Sequence, residues 1–206
     1  VPLYRIWERA LSPYRNWRRF VSTELDSVTA LPGATVVALN SSAPRRAIVG
    51  GRIDQHQVAL ARRAFANSAL GSHRILVAHH HWVSTPSGQG GRPLPQAPGL
   101  LAQIEDMGVH LVLGGHVHQT HLTTSRALVP GEEPGVPLVA CGTTASSRGR
   151  GSEEGANTLN LIRLHEARIE VTPHRFRDGT DRFVPGETRV FPVPRAEVAP
   201  APGGAP

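Results

Sequence analysis

Two clusters of histidine follow two strand-like runs of apolar residues. Residues 79–81 are all histidine and come directly after the apolar run 75–78, while His116 and His118 follow the run 109–113. Neutral imidazole is the most common metal ligand in proteins. The carboxyl ends of neighbouring parallel strands meet at one edge of a sheet, where α/β proteins place their sites. The spacing therefore predicts a metal site at that edge, with ligands from both clusters.

The second cluster has the more informative spacing. An isolated His-x-His segment is more often an incidental surface turn, but here Gly114 and Gly115 precede it and leave space for the backbone to approach a ligand. We therefore interpret His116 and His118 as candidate metal ligands, together with His79 from the first cluster. The remaining histidines are interpreted as surface or core residues: His56, His73, His110, His121, His165 and His174. His121 is the exception among them, because it lies close to the second cluster.

The first cluster leaves alternatives open. If the strand continued through it, His79 and His81 would point to one side and His80 to the other, so that one or two of the three reach a common site.

A loop rich in Gly, Pro and Ser follows at 84–98. Loops of that length in compact domains are usually functional or disordered. We expect this loop to flank the substrate, because it leaves the strand end that carries His79.

Composition narrows the class of protein. The 206 residues suffice for one domain with a core. All 22 basic residues are arginine and the net charge is +6. The dispersed arginines indicate first a solvated surface and, as an alternative, attraction of anionic, phosphorylated ligands. A single cysteine, Cys141, excludes an internal disulfide, and we expect a cytoplasmic location. The apolar runs are too short for a membrane span, and we expect no membrane partner. Because the chain begins at Val1, we expect it to be part of a longer protein.

The pattern of apolar residues predicts the elements that must position the histidines. Strands and helices alternate through residues 35–114, which indicates βαβ units, and a later hairpin indicates a mixed sheet. Strands are expected at 35–40, 75–78, 109–113, 137–141, 158–164 and 168–171, a helix from the N-cap Asp54 to about Asn67, and a second helix over 100–107 that Gly108 ends.

The two ends of the chain differ from its centre. Residues 3–20 have helical spacing that Pro13 interrupts, so we expect two short helical pieces that pack their aromatic residues onto the domain. The expected divisions are a helical lead-in over 1–34, the main domain over 35–191, and a Pro/Ala/Gly tail over 192–206 with too little apolar surface to fold.

Five segments together resemble the carboxy-terminal half of the calcineurin-like metallophosphoesterases. The His-His segment 75–80 and the Gly-His-x-His segment 113–118 look like that family's later metal motifs. Segment 37–42 is similar to its strand ending in an Asn-Ser turn, 51–57 to its following helix entry, and 142–148 to its Gly-Thr-Ala-Ser-Ser-Arg run. The combination is fairly specific, whereas each piece by itself is weak.

The resemblance extends over roughly residues 35–176. It implies an α/β fold, namely a partial four-layer α/β sandwich with a mixed sheet whose amino-terminal half is absent. In the complete domain it implies two divalent metal ions (Mn, Fe or Zn), with His79 and His116 on one ion and His118 on the other. His80 would lie near the substrate. Two such cations clamp phosphate oxygens and generate hydroxide for in-line attack.

The sequence also departs from the family. In the family, Asp-x-His, Gly-Asp and Gly-Asn-His-(Asp/Glu) supply the bridging carboxylate and the acid/base histidine. Gly-Asp and Gly-Asn-His do not occur here, and the one Asp-x-His run, Asp54-Gln55-His56, stands at the expected helix start and does not follow a strand. We therefore expect a carboxy-terminal portion of a metal-dependent phosphoesterase, acting on phosphomonoesters or phosphodiesters. Its catalytic acid/base residue would lie upstream. By itself this chain is expected to hold at most one metal ion and to be inactive, and its partners would be a phosphorylated substrate and the missing amino-terminal half.

Two further hypotheses remain open. The missing carboxylates are equally expected of a non-catalytic remnant that binds a metal ion or a partner without turnover. The positive charge would suit a nucleic-acid-binding module, but the sequence shows no basic stripe interleaved with aromatic residues and no known binding motif. Nucleic acid is therefore expected only as a substrate.

Overall fold

The histidine clusters lie at one edge of a six-stranded sheet in the computed structural model, which describes residues 6–44 and 50–194. The strands of this sheet are β1 (Ser27–Leu31), β2 (Ala34–Leu39), β3 (His73–Ala78), β4 (Leu111–Gly114), β5 (His121–Thr124) and β6 (Pro137–Ala140). They are arranged in the order β1-β2-β3-β4-β6-β5. The four central strands run parallel, whereas β1 and β5 run antiparallel to their neighbours at the two edges. The mixed sheet expected from the sequence is confirmed.

Helices form two of the three connections between the parallel strands, and the third, from β4 to β6, passes through β5. The helices are α1 (Ile6–Leu11), α2 (Arg15–Phe20), α3 (Gln55–Ala66) and α4 (Ala97–Asp106), of which α3 and α4 connect β2 to β3 and β3 to β4. Asp54 and Gln57 form a capping box at the start of α3. Gly108 adopts a φ of 63° directly after α4, where a left-handed residue ends a helix at low cost. Both helix assignments made from the sequence are confirmed.

Successive side chains of each strand point to opposite faces of the sheet, so the buried apolar residues form two clusters, one on each face. One face of the sheet packs on α3 and α4, with Leu76 and Val112 meeting Phe65 and Leu101. The other face packs on a second sheet. A central parallel strand that is buried on both faces needs a continuous apolar sequence, which is what residues 75–78 provide.

The second sheet covers the face opposite the helices. It contains the antiparallel strands β7 (Thr158–Leu164), β8 (Arg168–Arg177), β9 (Arg182–Pro185) and β10 (Arg189–Pro192). Ile169, Val171 and Phe191 from this sheet meet Ile75 and Leu111 of the first. The described part is thus a three-layer α/β sandwich of helices, mixed sheet and antiparallel sheet. This agrees with the partial sandwich expected from the resemblance.

Several strands were not expected from the sequence. The segment 1–34 contains β1 as well as helices, and β5, β9 and β10 were also missed. These strands are short and lie at sheet edges, where no continuous apolar run is required. The divisions at residues 34 and 191 stay a prediction. Most of the tail expected at 192–206 lies outside the described residues.

The aromatic residues of the amino-terminal helices do not pack onto the domain as expected. The two short helices on either side of Pro13 are confirmed, but Trp7 and Phe20 are 79 % and 71 % exposed. Every residue of α2 is exposed. Six-residue helices offer too little surface to bury aromatic side chains against a sheet that other elements already cover. Within the described ranges, no helix combines the length and apolarity needed to cross a bilayer.

Candidate metal centre

The two histidine clusters follow adjacent parallel strands. Val77 of β3 is paired with Leu113 of β4, so the chain leaves both strands at the same edge of the sheet. The backbone N–H of Gly115 then donates a hydrogen bond of 3.0 Å to the carbonyl oxygen of His79, which joins the two segments beyond the strand ends. The convergence at one sheet edge that the sequence predicted is therefore present.

The backbone of the second cluster is unusual. His116 and His118 have φ values of 69° and 55°, the left-handed region that non-glycine residues rarely adopt. Val117 between them is 1 % exposed and anchors the turn in the core. Such strained residues persist only where the surroundings hold them, and they concentrate at functional sites.

The imidazoles of His79 and His116 meet directly. His79 Nε2 and His116 Nδ1 are 3.2 Å apart, and the two rings are nearly perpendicular. In a tetrahedral zinc site with Zn–N bonds of 2.0–2.1 Å, two nitrogen ligands lie about 3.3 Å from each other. The same distance also fits a hydrogen bond between the rings when one nitrogen carries the proton. The distance between the two nitrogens therefore suits either a shared proton or one bound cation.

His118 lies apart from this pair. Its Nδ1 is 3.2 Å from the carbonyl oxygen of Arg148, so Nδ1–H donates and Nε2 keeps its lone pair for a ligand. The backbone N–H of Arg150 donates to the carbonyl oxygen of His118 at 3.0 Å. The structure thus brings two of the three candidate ligands, His79 and His116, together. The third, His118, is bonded to the Arg148 carbonyl.

His80 is buried beside the pair and is held by a serine. Its ring lies 4.8 Å from that of His116, and the residue is 5 % exposed. Ser41 Oγ accepts from the His80 backbone N–H at 3.1 Å and donates to His80 Nδ1 at 2.8 Å. Gly51 packs on the ring so tightly that a Cβ there would overlap it. A direct contact between His80 and substrate stays a prediction.

His81 also lies beside His116. The two rings stack at 5.6 Å with an angle of 8° between their planes. His81 is 3 % exposed, and its Nε2–H donates to the carbonyl oxygen of Gly91 at 3.3 Å. β3 ends at Ala78, so strand alternation does not decide the directions of the three histidines, and the rings of His79, His80 and His81 all lie 4.8–5.6 Å from that of His116.

The glycines at which a side chain would not fit are not the two that the sequence suggested. A Cβ at Gly114 or Gly115 would make only ordinary contacts of 3.6 Å or more, so close backbone approach does not explain these two residues. A Cβ at Gly90 would lie 2.8 Å from Val117, and the Gly51 position is closed by the His80 ring. Only the folded chain reveals these two glycines, since each is far in sequence from the residue it touches.

The electrostatics keep the imidazoles neutral. Burial, followed by the charges of His79, His81, His118 and Arg150, lowers the pKa of His116 to about 4. Burial and then the charge of His118 lower the pKa of His79. At neutral pH both rings are uncharged, and their lone pairs are available to a cation.

The donor set fits one cation in part and does not fit two. Within residues 6–44 and 50–194, no group of three or more His, Cys, Asp or Glu side chains is placed to hold a metal ion. The His79–His116 pair supplies two of the four ligands of a zinc-like ion. The nearby carboxylate of Glu153 is engaged elsewhere, since it accepts from the Thr120 backbone N–H at 3.0 Å and the Thr158 hydroxyl at 2.8 Å.

Two loops enclose the second cluster. In the loop expected to flank the site, the side chain of Ser87 donates to Gln119 at 3.0 Å, and Gln89 accepts from the Gly151 N–H at 3.0 Å. Gly151 belongs to the loop that follows β6. The loop at 84–98 is therefore packed against the site, while its contact with a substrate stays a prediction.

Among known proteins, solved structures are similar to this chain in fold. No protein-family model matches the sequence, and no curated protein matches it. A Vps29 double mutant from Entamoeba histolytica is 11 % identical with a TM-score of 0.36, and the match covers 84 % of this chain and 63 % of that chain. GAP50, the anchor in the inner membrane complex of Plasmodium, is 12 % identical with a TM-score of 0.48, covering 84 % and 54 %.

A third similar structure is a conserved uncharacterized protein of Streptococcus pneumoniae, described as a predicted phosphoesterase. It is 12 % identical with a TM-score of 0.35, and the match covers 79 % of this chain and 99 % of that chain. The chain spans 54–63 % of the first structures it matches. Because identity and TM-score are low, the fold assignment rests on the strand order and packing of this chain itself.

Proposed function

We propose that this chain provides the histidine ligands of a metal-dependent phosphoesterase centre. The 3.2 Å separation of His79 Nε2 and His116 Nδ1 at the carboxyl edge of the sheet is the observation that supports it. In this proposal His79 and His116 bind one cation, and His118 binds a second in the complete domain. A divalent cation held there supplies Lewis-acid polarisation of a phosphoryl group and a source of hydroxide near neutral pH.

The surrounding residues orient the ligands and favour an anionic substrate. Ser41 holds His80, whose ring lies 4.8 Å from that of His116, and the ring of His81 lies nearly parallel to that of His116 at 5.6 Å. The guanidinium of Arg150 is close enough to affect the pKa of His116, and its positive charge attracts a phosphoester to the same edge. We also propose that His80 lies next to the substrate when it binds at the pair.

Carboxylate ligands are proposed to come from a segment outside this sequence. Imidazoles are neutral, so two dications held by histidine alone would repel each other without compensation. The joined protein would then carry two ions and hydrolyse phosphomonoesters or phosphodiesters, whereas this chain by itself would hold at most one ion. The lack of a three-ligand group among the described residues favours a second candidate, a domain that binds metal or a partner without turnover.

Metal binding by the 206-residue chain tests the proposal. We expect one equivalent of Zn²⁺ or less by competition with a chromophoric chelator, and loss of that binding in His116→Ala and His79→Ala. His174→Ala is the matched control, since His174 lies on β8 with its Nδ1 bonded to the Thr172 carbonyl. Unchanged zinc affinity in both site variants would contradict the ligand assignment.

Turnover separates the two candidates. Assayed with an aryl phosphate and Mn²⁺, the isolated chain is expected to show no hydrolysis above the buffer rate, because the carboxylates are missing. Activity that appears only when the upstream segment is joined, and disappears again in His116→Ala, supports the phosphoesterase. A joined protein that binds metal without hydrolysing phosphoesters supports the non-catalytic candidate.

A further inference from the structure

A buried serine–histidine pair lies beside the candidate metal centre. Ser41 lies two residues after β2 and is 1 % exposed, and His80 lies two residues after β3 and is 5 % exposed. Ser41 Oγ is 2.8 Å from His80 Nδ1 and 3.1 Å from the His80 backbone nitrogen. Because β2 and β3 are adjacent parallel strands, the pair joins two turns at the edge of the sheet where His79 and His116 meet.

The hydrogen-bond directions within this pair follow from the protons that are available. A backbone N–H can only donate, so Ser41 Oγ accepts the bond from the His80 main chain. In the described part of the chain, the remaining contact of this hydroxyl is with His80 Nδ1. A buried hydroxyl proton without an acceptor is costly. The proton of Ser41 therefore points to Nδ1, and Nδ1 itself carries no proton.

The proton of the His80 ring is consequently on Nε2. A neutral imidazole carries one proton, and the nitrogen that carries it is a hydrogen-bond donor. Within residues 6–44 and 50–194, Nε2 has no hydrogen-bond partner, and it is not fully buried. The ring lies 4.8 Å from that of His116 and 5.2 Å from that of His79. An N–H donor without a partner thus lies beside the candidate ligands.

Gly51 holds the ring in this orientation. A Cβ at Gly51 would overlap Cγ, Nδ1 and Cδ2 of the His80 ring, while Ser41 contacts the ring at Nδ1. These contacts leave Cε1 and Nε2 as the free edge of the imidazole. A donor that is held in place before the substrate arrives needs no reorganisation during the reaction.

We propose that Ser41 is a positioning residue that keeps His80 as a hydrogen-bond donor to a phosphoryl oxygen and prevents it from becoming a third ligand of the cation. The inference rests on the proposed phosphoester chemistry of the same site. A cation requires a nitrogen lone pair, but Nδ1 uses its lone pair to accept from Ser41 and Nε2 is protonated. An anionic phosphoryl oxygen requires a donor, which Nε2–H supplies.

Covalent catalysis by Ser41 fits the pair less well. A serine hydrogen-bonded to a histidine is also the arrangement of an activated nucleophile. Ser41 is almost fully buried, however, and its oxygen already accepts the His80 backbone N–H. Because Oγ is too enclosed to reach a phosphorus atom, we expect no labelling of Ser41 by a fluorophosphonate. A labelled Ser41 would make it a nucleophile and overturn its positioning role.

Nitrogen-15 NMR of the full chain, with the label in its 11 histidines, tests the position of the ring proton. In the metal-free chain we expect His80 to be protonated on Nε2 and not on Nδ1, with its signals identified by their loss in His80→Asn. One equivalent of Zn²⁺ should leave that proton in place. A proton on Nδ1, or loss of the Nε2 proton when zinc binds, would overturn the proposal.

Binding of inorganic phosphate to the zinc-loaded chain, measured by calorimetry, distinguishes a donor from a ligand. The amide of Asn ends where Nδ1 of His lies, whereas that of Gln reaches as far as Nε2, so His80→Asn removes the donor and His80→Gln retains one. We expect phosphate affinity to fall about 10- to 100-fold in His80→Asn and by less in His80→Gln. Zinc affinity should be unchanged in both. Weaker zinc binding by His80→Asn, or equal phosphate binding by all three proteins, would contradict the proposal.

The role of Ser41 is tested by the same measurements. Ser41→Ala should lower phosphate affinity about two- to tenfold without changing zinc affinity, and Ser41→Thr, which keeps the hydroxyl, should restore it. Ser125→Ala is the matched control, because Ser125 is also buried but its Oγ accepts from the Val136 N–H at 2.9 Å on the segment after β5. Equal losses of phosphate affinity in both alanine variants would show that Ser41 has no positioning role.

Failure of this proposal is distinguishable from failure of the proposed function. A chain that binds no zinc contradicts the proposed function, whereas the metal-free spectrum still decides where the His80 proton lies. Zinc binding together with equal phosphate affinity in the parent, His80→Asn and Ser41→Ala would leave the proposed function intact and refute the role of the pair. Circular dichroism of each variant verifies that it is folded.

Discussion

At the candidate metal centre, the positions of the proposed ligands depend on residues outside the proposed ligand set. Ser41 satisfies the backbone N–H and Nδ1 of buried His80, and the stacked ring of His81 restricts His116. Each of these contacts joins residues far apart in sequence. Support of this kind holds the two imidazole nitrogens at the spacing that the proposed cation site requires.

Gly51 gives the sharpest prediction at the scale of single residues. An added Cβ would overlap the His80 ring, and φ at this position is 66°, so Gly51→Ala combines a clash with backbone strain. We expect a loss of about 2–4 kcal/mol in the free energy of unfolding, measured with urea. Gly71→Ala is the control, because φ is 74° there with open space around it, and about 1–2 kcal/mol is expected from strain alone. Equal losses would show that packing on His80 is unimportant.

At the scale of elements, β3 and β4 have histidines at both ends. His73 begins β3 and His110 precedes β4, and their rings meet edge to face at 5.5 Å. His110 Nδ1 accepts from the Arg74 backbone N–H at 3.3 Å, so this ring is part of the strand pairing. Burial, followed by the charges of His73 and Arg74, lowers the pKa of His110 to about 4.

This shift makes the folded state sensitive to acid. Between pH 6.5 and about 4, the unfolded chain binds a proton at His110 that the folded chain does not, so stability falls as pH falls through this range. In His110→Gln the free energy of unfolding should decline less steeply over that interval, as measured by urea titrations at several pH values. His56→Gln, exposed on α3, should decline as steeply as the parent. Identical slopes in all three proteins would rule out this source of acid sensitivity.

At the scale of the whole molecule, the six-stranded sheet is shared by two cores. Leu76 and Val112 face the helices, while Ile75 and Leu111 face the second sheet, so adjacent residues of the same strands belong to different clusters. Neither core can open without exposing one face of the central strands. The layers should therefore unfold together in one transition.

A substitution in the second sheet tests this coupling. Ile169 is fully buried between the two sheets, and Ile169→Ala should lower the free energy of unfolding by about 2–5 kcal/mol. Far-ultraviolet and near-ultraviolet circular dichroism should still report one coincident transition. Val190→Ala, at a residue 57 % exposed in the same sheet, should change stability by about 0.5 kcal/mol or less. Two separate transitions would mean that the second sheet is an independent layer.

Prediction from the sequence succeeded where a local pattern of residues is compatible with a single local structure. The apolar run 75–78 has to be a doubly buried strand, and Asp54 before a helical pattern has to be a cap, because few other structures satisfy those residues. It failed for β1 and β5, whose sequences suit an edge strand or a loop equally. It also failed for Trp7, since apolar character by itself does not reveal whether a partner surface is available.

The amino-acid sequence by itself determined which residues have ligand chemistry and that both clusters follow strands, because residue type and periodicity are local properties. Only the tertiary structure decided that His79 pairs with His116, that His118 turns to the Arg148 carbonyl, and that Ser41 and Gly51 fix His80. These contacts depend on which strands are neighbours and on the turns that follow them. Such relations between distant segments exist only once the sheet has formed.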